Sequence, residues 1–182
     1  MKFYQIVFAL GIITLLLSVS AIGQEYNYKM AIDKTDYTFR HREGTWHIEA
    51  GIKQNNTHVM YRFADLDGII ENRIKLTQDL YKNGGFSLQT RMEYRHFDHA
   101  DNYWRFRWIL NYKKDIGNAE AWIKLQPRWK LDGDTTLDDA RDQAGINFKF
   151  GNVKVGPFIE RYAGTNLHYD EFVYGTYFTI KL

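Results

Sequence analysis

Between Phe86 and Leu131, apolar and polar side chains alternate through three successive segments, and this period of two limits what the chain can become. In the first segment Phe86, Leu88, Thr90, Met92 and Tyr94 share one face, and Ser87, Gln89, Arg91, Glu93 and Arg95 share the other. The second sets Trp104, Phe106, Trp108, Leu110 and Tyr112 against Tyr103, Arg105, Arg107, Ile109, Asn111 and Lys113. The third sets Ala119, Ala121, Ile123, Leu125, Pro127, Trp129 and Leu131 against Glu120, Trp122, Lys124, Gln126, Arg128 and Lys130. Strands of soluble sandwiches usually run about five or six residues, whereas segments of about ten joined by turns suit a membrane-spanning barrel. The long charged side chains on one face suit a wet lumen, and the Trp, Tyr and Phe on the other favour lipid and its interfaces. The expected fold is all-β, an antiparallel transmembrane β-barrel of about ten strands, within a range of roughly 8 to 12.

The rest of the chain continues this rhythm. Phe172, Tyr174, Thr176, Phe178, Ile180 and Leu182 alternate to the last residue. This resembles the C-terminal strand that the barrel-assembly machinery reads in outer-membrane proteins, although those strands usually finish in Phe. Further strands are expected near 153–162, 142–150, 119–131, 103–114, 85–96, 69–81, 57–64 and 45–53, with a first strand inside 26–42. In that first strand the parity changes between Tyr26, Tyr28, Met30, Ile32 and Tyr37, Phe39, His41, which implies a bulge or break around Asp33 to Asp36.

Connections alternate in length. Gln54 to Asn56, Lys82 to Gly84, Asp115 to Asn118 and Gly151-Asn152 are short and rich in Gly or Asn, as tight inner hairpins require. Asp65 to Gly68, Phe97 to Asn102, Asp132 to Arg141 and Ala163 to Asp170 read as the longer external loops, with Glu43-Gly44 a short exception. Pro127 and Pro157 fall inside expected strands and count against regular pairing there.

Residues 1–23 read as a secretory signal peptide. Lys2 supplies the positive start, Ile6 to Ala21 the apolar run, and Ala21-Ile22-Gly23 the small residues before Gln24; a retained N-terminal membrane helix is the rival reading. Cleavage after Gly23 leaves 24–182 as one barrel domain, bound for the cell outer membrane of a Gram-negative bacterium. Aromatics make up 16% of the chain, enough for two interfacial girdles. The 24 basic residues, one of them Lys2, nearly balance the 22 acidic ones, so nucleic acid is not an indicated partner. The expected partners are outer-membrane lipid and lipopolysaccharide, the barrel-assembly machinery and small anionic solutes. Having no cysteine, the chain cannot use disulfides, Cys-ligated zinc or thiol catalysis.

The expected inward faces carry Arg73, Lys75, Arg91, Arg95, Arg105, Arg107, Lys124 and Arg128, among other cations, against fewer carboxylates that include Glu49, Glu71, Glu93 and Glu160. A basic lining concentrates anions, which is the electrostatic logic of an anion-selective, porin-like ion-transport channel. The alternative is a filled, closed barrel with structural or adhesive external loops. In that reading Glu93, between Arg91 and Arg95 and beside Arg105 and Arg107, belongs to an ion-paired plug.

The run from Asn72 to Trp129 resembles the oligogalacturonate-specific porin family. The likeness lies in Asn72-Arg73-Ile74-Lys75-Leu76, the turn Asn83-Gly84-Gly85-Phe86, and Arg91-Met92-Glu93-Tyr94-Arg95. It implies a monomeric barrel for acidic saccharides with Arg73, Arg91, Arg95, Arg105 and Arg107 along the pore, although that family has twelve strands. A weaker resemblance joins Gly164 to Tyr169 and His96-Phe97-Asp98-His99 to outer-membrane phospholipase A. Asp98 stands where that family needs its serine, so no activated nucleophile is present and no enzyme activity is expected. His96, Asp98, His99 and Asp101, and likewise Asp132, Asp134, Asp138 and Asp139, read as solvated loops rather than metal sites. No metal or other cofactor is expected.

Overall fold

A computed structural model describes residues 24–32, 35–42, 45–133, 135–164 and 169–181. The expected leader, Asp134 and the tip of the last loop lie outside them. Eleven strands form a closed barrel: β1 (Gln24–Ile32), β2 (Thr35–Arg42), β3 (Thr45–Gln54), β4 (Thr57–Leu66), β5 (Ile69–Asn83), β6 (Phe86–Phe97), β7 (Tyr103–Ile116), β8 (Ala119–Leu131), β9 (Thr135–Phe150), β10 (Val153–Ala163) and β11 (Tyr169–Lys181). Each strand pairs antiparallel with the next. An odd number of strands in such a meander leaves the first and last running the same way, so β1 closes on β11 in parallel, from Gln24 opposite Tyr174 to Ala31 opposite Lys181.

The all-β barrel of about ten strands is therefore present, with one strand more than the expected layout. The extra strand comes from the parity change near the N-terminus. Tyr28 lies opposite Phe39 and Met30 opposite Tyr37, so a chain reversal, rather than a bulge within one strand, brings the two apolar sets into register. At the other end of the chain, β9 begins at Thr135, and most of the expected 132–141 loop is strand.

Two-residue turns at 55–56, 84–85, 117–118 and 151–152 close the end of the barrel at which β11 finishes; we call this the hairpin end. The opposite, loop end carries the turn at 67–68 and the longer connections after Phe97, Leu131 and Ala163. Gly84 and Gly85 both have positive φ (55° and 86°), the geometry a twisted two-residue hairpin needs. A Cβ on Gly85 would also run into the Lys113 carbonyl.

Side chains are distributed inside out relative to a water-soluble protein. Trp104 is 49% exposed and Ile48, Ile74, Ile123 and Phe172 about as much or more, whereas Glu71, Glu93 and Glu160 are completely buried. No helix among the described residues is long and apolar enough to cross a membrane. The apolar outer surface is made by the strands alone.

The prolines are accommodated by local breaks in the ladder. β7 and β8 pair at Arg107–Arg128 and again at Leu110–Leu125, skipping the residues opposite Pro127 and Gln126. β9 and β10 pair at Phe148–Val155 and again at Gly145–Phe158, skipping Gly156 and Pro157. On their other sides Pro127 keeps register with Ala140 and Pro157 with Thr176. A residue with no N–H thus interrupts the pairing on one side and preserves it on the other.

Candidate functional site: the charged lumen

Strand register brings like charges into rows across the inner wall. Arg62, Arg73 and Arg95 lie side by side on β4, β5 and β6, and Arg91, Arg107 and Arg128 on β6, β7 and β8. Like charges directly opposite one another are destabilising, so each row needs compensation. Two fully buried carboxylates, Glu71 and Glu93, supply most of it, and a third, Glu160, holds other cations of the wall. Glu71 accepts from Arg73 Nε and from Arg95 Nε and Nη2, the last at 2.9 Å. Glu93 accepts from Arg107 Nη2 at 2.7 Å and Arg73 Nη1 at 3.4 Å, with Arg91 at 3.7 Å. Glu160 binds Arg40 at 2.9 Å, Arg141 and Gln143. On β3, Glu49 pairs with Lys75 and lies 3.2 Å from His47 Nε2.

At the loop end a second set of carboxylates pairs with the lumen's arginines. Arg128 lies opposite Asp139 and Trp129 opposite Leu137, so Asp138 is the extra residue of a β-bulge. The bulge lets two consecutive aspartates serve the lumen: Asp138 pairs with Arg105 at 2.8 Å and Asp139 with Arg128. Tyr103 completes the group, its hydroxyl accepting from Arg105 at 2.9 Å and from Arg95, and its ring lying 4.9 Å from the Lys130 ammonium.

Toward the hairpin end the filling is aromatic. Trp122 and Phe158 are 8% and 4% exposed, and Tyr177 makes edge contacts to both, with ring centroids 5.3 and 5.1 Å away. Gly145 makes room for them, since a Cβ there would come within 2.7 Å of the Trp122 ring.

A cavity of about 610 Å³ remains between these groups. Its lining reaches from Lys53 and His58, beside the 55–56 turn, to Thr45 and Leu66, beside the 67–68 turn. Eight of the cations expected on the inner wall line it, namely Arg73, Lys75, Arg91, Arg95, Arg105, Arg107, Lys124 and Arg128, and so do Arg40 and Arg62, whereas Lys130 and Lys149, also expected inside, do not. Glu71, Glu93 and Glu160 do not, because their arginines cover them. The lining is therefore more basic than the composition of the inner faces.

No protein-family model, curated protein or solved structure matches this chain. The lumen has to be read from its own residues.

Some of those residues were not singled out by sequence reasoning. Asp138 and Asp139 read as solvated loop, and their inward turn depends on a bulge that only pairing reveals. Trp122 falls on the polar face of its segment with no local partner, and Phe158 and Tyr177, which it meets, lie far along the chain. The histidine-aspartate stretch stays outside the lumen. His96 is exposed, and Asp98 accepts from the Ile70 N–H at 3.0 Å, tying the loop to the start of β5.

Proposed function

We propose that the protein is an outer-membrane barrel that admits small anions to a narrow basic lumen, acting as a porin-like channel and not as an enzyme. The observation that carries this reading is the continuous cavity with a lining dominated by cations, whose deepest carboxylates are already covered. Anions are favoured in such a passage because the low-dielectric wall strengthens the field of each unscreened charge. The apolar outer band supports insertion in lipid, with the barrel-assembly machinery and outer-leaflet lipopolysaccharide as partners.

The solutes to test are small inorganic anions and the acidic saccharides that the resemblance to oligogalacturonate-specific porins implies.

One observation favours a closed structural barrel instead: the ion-paired glutamates and the Trp122, Phe158 and Tyr177 cluster together fill much of the interior. Planar-bilayer recording of the refolded protein separates the two readings. Small steps with an anion-selective reversal potential under a salt gradient are expected. A bilayer that stays quiet at high salt would overturn the channel reading and leave the closed barrel. Fractionation of expressing cells should place the chain with outer-membrane markers, and recovery in the soluble fraction would remove the membrane reading altogether.

A further inference from the structure

Lys124 and Arg62 are the two cations of the lining that make no ion pair or hydrogen bond among the described residues; Arg62 has Glu49 and Glu71 nearby, and Lys124 has less. Lys124 projects from β8 between Asn111 of β7 and Gln143 of β9. The charges that act on it most strongly are Arg91 on β6, Arg107 on β7, Arg141 on β9 and the carboxylate Glu160 on β10. Both Glu160 oxygens are already engaged, Oε1 by Arg40 and Arg141 and Oε2 by Gln143. Among the described residues the Lys124 ammonium has neither an ion pair nor a hydrogen bond.

Its surroundings repeat the pattern. Gln126, two residues along the same face, accepts from Arg107 Nη1 at 3.2 Å and keeps its buried amide nitrogen without an acceptor. Arg107 Nε is likewise a buried donor with no acceptor. Lys124, Gln126, Arg91 and Arg107 all line the same cavity. A half-buried cation among like charges is costly unless something negative compensates it, and the unsatisfied donors of the buried Gln126 and Arg107 add to that cost. What the site lacks is an acceptor carrying negative charge. A cation or a neutral hydroxyl cannot meet that requirement.

We infer that the lumen holds one discrete oxyanion site, formed by Lys124, Gln126, Arg107 and Arg91, suited to a tetrahedral inorganic anion of the phosphate or sulfate class. Such an anion offers acceptors in several directions at once, as donors arriving from three strands require. The inference rests on the anion-admitting lumen proposed above, through which the site is reached, but it does not need through-conduction.

The test is calorimetric titration of the refolded full-length barrel in detergent with sodium phosphate, sodium sulfate and sodium chloride at constant ionic strength. Saturable one-site binding of phosphate or sulfate is expected, with chloride weaker. Lys124→Met should weaken it at least about tenfold, the worth of a charge-assisted hydrogen bond, and Gln126→Leu by a smaller factor. Lys114→Met, on the outer wall, should change nothing. A phosphate-dependent rise in melting temperature should appear in the wild type and vanish in Lys124→Met. Folding of Lys124→Met is checked by its melt without anion, and Gln126→Leu carries the test if that variant fails to assemble. Absence of saturable binding, binding of all three anions alike, or full binding by both variants would overturn the site. Saturable binding by a barrel that stays quiet in bilayers would keep the site and reject conduction. Conduction without saturable binding would do the reverse.

Discussion

The wall formed by β3 to β7 and the wall formed by β8 to β11 enclose one lumen by different means. In the first, glutamates sit under rows of arginines, and cohesion depends on charge arriving at the right register. In the second, near the hairpin end, large rings rest on a glycine, and the ladder is twice interrupted beside a proline. A charged interior tolerates little loss, since removing one partner strands another. A packed interior loses about what the missing atoms contributed.

The largest expected effect lies in the charged wall. Glu93→Ala leaves Arg73, Arg91 and Arg107 facing one another without the carboxylate between them. Breaking a buried ion pair by removing one partner costs about 3 to 5 kcal/mol. Urea unfolding of the refolded barrel should show a loss of that order, and a change within error would mean that the row is stabilised by something else.

Trp122→Ala tests the packed wall. Its loss should be smaller, at or below about 3 kcal/mol, the low end for removing a buried ring, because its ring neighbour Tyr177 borders the polar cavity into which the space would open. The same change widens the passage beside Gly145, so unit conductance should rise. A destabilisation equal to that of Glu93→Ala would erase the distinction between the walls.

Asp138→Asn and Asp139→Asn act at the loop end, where the carboxylates are about a quarter exposed and their ion pairs partly screened. Each should cost no more than about 1 kcal/mol. Freed of these partners, Arg105 and Arg128 should shift the reversal potential further toward anions, most strongly at low salt. Unchanged selectivity would exclude the mouth from solute choice.

The sequence carried the charged wall more fully than the packed one. Arg91, Glu93, Arg95, Arg105 and Arg107 fall on alternating positions of neighbouring strands, so their meeting follows from period two and short turns. The ion pairs of Glu93 with Arg91 and Arg107 were legible for the same reason. Trp122, Phe158 and Tyr177 come from β8, β10 and β11, and their contact depends on closure and on the space above Gly145, neither of which is a local property. The bulge at Asp138 shifts one residue against its neighbour strand, a relation that no single segment encodes. At the N-terminus, a change of parity is what both a bulge and a reversal produce. The register of Tyr28 with Phe39 distinguishes them.

Pro157→Val probes the interrupted ladder of the packed wall and should have the smallest effect on stability. The substitution restores an N–H beside Ile146, a hydrogen bond worth about 1 kcal/mol when made. Against it stands the freedom that valine returns to the unfolded chain, about 0.4 to 1 kcal/mol, so the two nearly cancel. Gly156 decides how far the gain is realised, because its Cα packs so close to the Ile146 carbonyl that a Cβ there would overlap it. If the backbone holds that approach, the new donor stays unpaired and hydrogen exchange at 146–147 remains fast. If the ladder closes, exchange there slows and the furrow outside Ile146 and Pro157 narrows. Slow exchange already present in the wild type would show that these residues are protected without the ladder, and that the two walls differ less in backbone order than in chemistry.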